Sequence, residues 1–150
     1  KKYLVTRCDV LVKGTNHLTG ADVMFWVARV DQSATPDQRL DTLSEALENP
    51  RTRVMRCAEA DAADKDKNTR TLVTSFNTVA SMGSTEVVGD SLASVTSANP
   101  SHSDILQIMA QRGDGTNLPA GSPSFTFHVM LRYHVIYFNP NKDYRSSILP

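Results

Sequence analysis

Hydrophobic and polar residues alternate along most of this chain, and the longest alternation lies near its end. Over residues 124–138 (SFTFHVMLRYHVIYF), Phe125, Phe127, Val129, Leu131, Tyr133, Val135 and Tyr137 share one parity. Thr126, His128, Met130, Arg132, His134, Ile136 and Phe138 share the other. A period of two sends successive side chains to opposite faces of a strand. The segment therefore predicts a strand with an apolar core face and a second face carrying Arg132, His128 and His134. At ~3.3 Å per residue it spans roughly 45–50 Å, against about 5–6 residues for an ordinary strand.

The same pattern recurs upstream. Residues 3–13 (YLVTRCDVLVK) place Leu4, Thr6, Cys8, Val10 and Val12 on one face, and Val5, Arg7, Asp9, Leu11 and Lys13 on the other. Residues 22–31 (DVMFWVARVD) are almost continuously apolar, as expected of a strand covered on both sides. Residues 35–49 predict the one helix: Thr35 as N-cap, Pro36 at the first helical position, Gln38 closing a capping box, and a narrow stripe of Leu40, Leu43 and Leu47. Pro50 ends it, because the residue before proline is pushed out of helical geometry. Further strands are expected at residues 51–58, 68–79 and 86–95, separated by the polar stretch 61–68 and by Met82-Gly83-Ser84. Residues 105–112 (ILQIMAQR) suit a helix or a strand, and Gly113-Asp114-Gly115 closes them. About eight strands and one helix, with turn signals every ten or so residues, predict an all-β fold. Eight antiparallel strands in two sheets is jelly-roll arithmetic, and the 150 residues read as one such domain.

Composition narrows the function classes. Sixteen basic and sixteen acidic residues give no net charge, which argues against a freestanding nucleic-acid binder but leaves room for one basic face. No apolar run is long enough to cross a bilayer, so no membrane partner is expected. Cys8 and Cys57, the only cysteines, are too few for a disulfide framework and read as reduced thiols packed in an intracellular core. The chain opens at Lys1-Lys2-Tyr3 without an initiator methionine, already in a strand pattern. The expectation is that a further N-terminal segment precedes it.

Candidate chemistry is sparse. Asp64, Asp66 and Asn68 stand at alternate positions like the opening of a calcium loop, but Thr69 replaces the turn glycine and Ser75 the closing glutamate. The plainer reading is a solvated hairpin. The weaker one is a calcium ion completed by another subunit. His128 and His134 are six residues apart on one strand, roughly 20 Å, too far to share an ion. No nucleophile elbow, phosphate loop or zinc-protease motif occurs, and no catalytic residue, metal or cofactor is assigned. Arg112-Gly113-Asp114 is the tripeptide of integrin ligands; a polar turn is the plainer reading. The informative set is distributed: Arg7, Arg56 and Arg132 lie on the non-core faces of three strands, with Lys13, His128 and His134 beside them by parity. In a jelly roll the first, third and last strands share a sheet, so these residues would form one basic surface. Contacts of that kind hold phosphates without reading base sequence.

The order FWVARVD, then TPDQRLDTLSEALENP, then RVMRCAEAD, and near the end DILQIMAQRGDGT followed by SFTFHVMLRYHVIYFNPN, resembles the coat proteins of small icosahedral viruses with a single jelly roll. It is similar in layout to satellite tobacco necrosis virus and geminivirus coat proteins. The resemblance covers nearly the whole chain and rests on pattern and spacing. It implies a capsid protomer, located in the virion and assembled in the host cytoplasm or nucleus, whose partners are copies of itself and a genome of RNA or DNA. A basic N-terminal arm would precede residue 1, residues 105–112 would be a strand, and the genome-facing sheet would present Lys1, Lys2, Arg7, Lys13, Arg56, His128, Arg132 and His134. Asp9 shares that face and would need Arg7 or Arg56 as partner. Lateral contacts would come from the helix at 36–49, the loops at 82–84 and 98–103, and the tail at 144–150. The competing reading is a jelly-roll module binding carbohydrate or a cell-surface receptor, which would need exposed aromatics, whereas Trp26 lies in the most buried-looking strand. A cupin-like enzyme would need clustered His and Glu ligands, which four scattered histidines do not supply.

Overall fold

The computed structural model describes residues 2–31, 39–61, 67–77, 93–95, 104–120 and 123–138. Within them lie seven strands and one helix: β1 (Lys2–Asn16), β2 (Val23–Asp31), α1 (Leu43–Glu48), β3 (Arg53–Cys57), β4 (Thr69–Asn77), β5 (Ala93–Val95), β6 (Asp104–Arg112) and β7 (Phe125–Phe138). The protein is predominantly β, as its alternation predicts. Residues 105–112, open between helix and strand in the sequence, form β6. Of the segment expected at 86–95 only β5 is described; the described residues hold seven strands against the eight expected.

The strands form two antiparallel sheets. One has the order β3-β2-β6, and in the other β1 pairs with β4, β5 and β7. A strand has two edges, so two of β1's three partners share an edge at different points along its 15 residues. β2 is the centre of the smaller sheet: Trp26 stands across from Val54 on β3 and Met109 on β6. The expectation that the first, third and last strands share a sheet is therefore corrected. β3 hydrogen-bonds to β2, and β1 lies in the other sheet with β7. Periodicity fixes the faces of a strand but not the sheet it joins.

The chain divides into two compact units, one of Lys1–Cys8, Phe76–Ser103 and Arg132–Pro150, the other of Asp9–Ser75 and Asp104–Leu131. The second unit holds all of the described buried hydrophobic residues except Leu4. Val23, Phe25 and Val27 are fully buried on one side of β2, and Trp26 and Ala28 on the other. Phe25 packs against Phe125 and Phe127 of β7 at ring distances of 5.7 and 6.0 Å. Gly14 of β1 is required here: a Cβ at that position would lie 2.6 Å from the Phe125 ring and 2.9 Å from that of Phe25. On the opposite side Trp26 and Ala28 meet Leu43 and Ala46 of α1, joined by Met24, Leu40, Val54 and Met109. Burial on both sides explains why β2 reads as an unbroken apolar run.

The helix is shorter and later than its sequence pattern suggests. The capping box of α1 is Thr42 with Glu45, and the expected Thr35 and Gln38 lie outside the described residues. Glu45 accepts from the Asp41 and Thr42 amides at 2.8 and 3.0 Å, and the Thr42 hydroxyl accepts from the Glu45 amide. These bonds, Thr42's first, hold the Glu45 carboxyl below its ordinary range. The buried stripe is Leu43 with Ala46, whereas Leu47 is exposed. Asn49 caps the end in an extended conformation, as Pro50 demands. The helix entry is clamped by β2 and β6. Trp26 Nε1 donates to the Leu40 carbonyl, Gln107 Oε1 accepts from the Leu40 amide, and the buried Gln111 Oε1 accepts from the Leu43 amide at 2.8 Å.

Asn16 joins the loop ends of the same unit. It is wholly buried. Its Nδ2 donates to the carbonyls of Ala21 and Ala58, both at 2.8 Å, and its Oδ1 accepts from the Leu18 amide at 2.9 Å. The strand β4 begins beside it, where the Asn16 amide donates to the Asn68 carbonyl.

Candidate functional site

The outer face of β1 is set by its own alternation. Val10, Val12 and Gly14 point inward, and Lys13 and His17 are exposed. His17 then fixes the face of β7: its Nε2 lies 2.9 Å from Thr126 Oγ1, and its amide donates to the Ser124 carbonyl. Thr126 and His128 share a parity, so His128 is exposed on the face that carries Lys13 and His17. On β4, Thr69 Oγ1 meets Thr15 Oγ1 at 3.1 Å, which puts Thr69, Thr71, Val73 and Ser75 on that face as well. The larger unit thus presents a sheet face with Lys13, two imidazoles and a row of hydroxyls. His17 escapes the sequence reading because it lies beyond the turn signal at Gly14. The cue available was its odd parity with Lys13.

In the smaller unit Arg7, Arg132 and His134 are exposed, and the Thr6 hydroxyl donates to the His134 carbonyl at 3.1 Å. That bond places this part of β7 beside β1. Lys2 lies in β1 across from Val95, and Lys1 is outside the described residues.

Arg56 does not join this surface. It lies on β3, across from Met24 and on the side of the small sheet that carries α1. Its partner is Asp22, reached by Arg56 Nε at 2.9 Å and by a second guanidinium nitrogen. Asp22 thus takes the role expected of Asp9 toward Arg56. Of the calcium candidates, Asp64 and Asp66 lie outside the described residues, and Asn68 donates its Nδ2 to the Asn16 carbonyl.

Arg56 and Asp22 instead help to line a cleft of about 480 Å³ with Gly20, Met24, Arg112 and Asp114. Two guanidinia and two carboxylates cancel one another there. The Arg112-Gly113-Asp114 turn is tied down locally: Asp114 Oδ1 accepts from the Thr116 amide at 2.9 Å and its hydroxyl at 2.6 Å, and Arg112 lies 3.7 Å from Asp114 Oδ2. Thr116 holds the Asp114 carboxyl below its ordinary range. This is the polar turn of the plainer reading, with the two charged ends of the tripeptide folded toward each other.

The remaining groups suit structure. Cys57 is buried, donates to the Gly14 carbonyl at 3.6 Å, and has its thiol pushed up to about 11 by desolvation. Cys8 is also free. Trp26 is fully buried and offers no stacking platform for a sugar.

The second half of β7 corrects a further expectation. Of its predicted core face, Phe125 and Phe127 do pack inward, but Val129, Leu131, Tyr133 and Tyr137 are exposed, as are Met130 and Ile136. The alternation is genuine, but beyond Phe127 only Val135 of that face is half-buried. No protein-family model matches this chain, and neither a curated protein nor a solved structure does.

Proposed function

We propose that this chain is a jelly-roll coat protein that self-assembles into an icosahedral shell and packages nucleic acid through sequence-independent phosphate contacts. The observation that carries this reading is the outer face of β1 and β7. Lys13, His17 and His128 share one exposed, hydroxyl-rich sheet surface in the larger unit, and Arg7, Arg132 and His134 continue the same two strands in the smaller. A sheet face of lysine, arginine, imidazole and hydroxyl groups suits a phosphate backbone, whose contacts position a nucleic acid without reading base edges. The strand order supports the jelly roll: β1 pairs with β7 and β2 with β6, nested as in a long hairpin folded over, and α1 lies between β2 and β3.

Binding to a single-stranded oligonucleotide across a salt series tests this. Each phosphate contact contributes about 0.7 to the slope of log K against log salt. Replacing Arg7, Lys13 and Arg132 with alanine is expected to flatten that slope by roughly 2. Arg56→Ala is expected to leave it unchanged, since its guanidinium is paired with Asp22 on the other sheet. An unaltered slope in the triple variant, or an equal loss in Arg56→Ala, contradicts the assignment.

A further inference from the structure

The outer face of the larger unit is built on three adjacent strands. Consecutive amides of a strand point to opposite edges. The Asn16 amide donates to the Asn68 carbonyl, where β4 begins, and the His17 amide to the Ser124 carbonyl, where β7 begins. β1 is therefore the middle strand here, with β4 on one edge and β7 on the other. Carried along the antiparallel strands, these two bonds set Thr69 and Thr126 across from Thr15, and Thr71 and His128 across from Lys13. The Thr15–Thr69 hydroxyl contact at 3.1 Å agrees with the first row. In the second row Thr71, Lys13 and His128 are all exposed. Among residues 11–17 of β1, 69–75 of β4 and 126–130 of β7, this face carries no carboxylate to repel a phosphate.

Phosphate oxygens only accept hydrogen bonds, and Lys13 with the His128 imidazole answers them. The hydroxyls have a further capacity. A threonine hydroxyl both donates and accepts, and a phosphate uses only the first. A ribose 2′-hydroxyl also does both, and it is the group by which a protein tells RNA from DNA. It sits on the carbon next to the one that bears the 3′ phosphate. Thr71 stands one strand spacing, about 4.8 Å, from Lys13. A strand with its phosphate on Lys13 can therefore set that hydroxyl on Thr71. We infer that this face selects RNA over DNA, with Thr71 reading the ribose while Lys13 and His128 hold the adjoining phosphate. The inference rests on the phosphate-binding reading of the same surface and names its substrate class. The row of Thr69, Thr15 and Thr126 lies roughly 6.6 Å further along and offers the next nucleotide hydroxyls of the same kind.

Oligouridine and oligodeoxyuridine of one length differ only in the 2′-hydroxyl. Their affinities for the full chain, measured by fluorescence anisotropy in one buffer, read the preference directly. Oligouridine is expected to bind more tightly by on the order of fivefold, the effect of one net hydrogen bond. Thr71→Val keeps the branched shape at an exposed strand position and removes the hydroxyl. It is expected to bring oligouridine down to the affinity of oligodeoxyuridine without altering the salt slope. Thr71→Ser, which retains a hydroxyl, is expected to keep the preference. Lys13→Ala is expected to weaken both polymers alike and to flatten the salt slope by about 0.7, one phosphate contact. Equal affinity of the two polymers for the parent chain, or an equal loss for both in Thr71→Val, overturns the inference and leaves the phosphate surface standing. Binding of neither polymer contradicts the phosphate-binding reading, and the inference with it.

Discussion

Trp26→Ala is expected to lower the unfolding free energy by about 3–5 kcal/mol, the cost of removing a large buried aromatic. The ring is wholly buried between β2 and α1, against Ala28, Leu43 and Ala46. It also donates to the Leu40 carbonyl at the helix entry, so the variant loosens the seating of α1 as well as leaving a cavity. Trp26→Phe keeps most of the packing and loses that bond, for a smaller cost of about 1–2 kcal/mol. Urea unfolding followed by circular dichroism measures both, because Trp26 is the only tryptophan and its replacement removes the fluorescence signal. Equal stability of Trp26→Ala and the parent chain would mean that α1 does not pack on this sheet.

Asn16→Leu is expected to cost roughly 2–4 kcal/mol, because burying the wrong group here abandons two carbonyls and an amide at once. The shape of the side chain is nearly kept, so the loss isolates hydrogen bonding from packing. Asn16→Asp should serve as a partial control. A carboxylate still accepts from the Leu18 amide but faces the Ala21 and Ala58 carbonyls, to which Asn16 now donates. Protonating that carboxyl gives back one donor, so the Asn16→Asp variant is expected to recover stability as pH falls below about 5, measured by thermal unfolding from pH 7 to pH 4. A deficit that does not change with pH would show that the two carbonyl bonds contribute little.

Much of the fold is legible from period-two patterning. The inward Val10 and Val12, the doubly covered β2 and the outward Lys13 all follow from parity, because each depends on neighbours along one strand. What was not legible depends on distant partners. The sequence holds two successive capping-box patterns, Thr35 with Gln38 and Thr42 with Glu45. The second forms where Leu43 and Ala46 find Trp26. Arg56 was grouped with Arg7 and Arg132 because periodicity cannot say that β3 joins β2. The amides of Asn16, Gln107 and Gln111 look like ordinary polar residues until partners 42 to 68 positions away are known. On β7 the pattern predicts a core face along the whole strand, but burial requires opposing partners, and beyond Phe127 Val135 is half-buried while Val129, Leu131, Tyr133 and Tyr137 are exposed. The candidate surface was legible in Lys13 and His128. His17 became visible only through its bond to Thr126.

The most direct test of the shell reading is the mass of the purified full-length protein by light scattering, with the 260/280 nm absorbance ratio taken on the same peak. A subunit that assembles around nucleic acid elutes as particles many times the 16.5 kDa of the chain, with a ratio well above that of protein alone. A monomer at high concentration, with a protein-like ratio and no particles on adding nucleic acid, contradicts it.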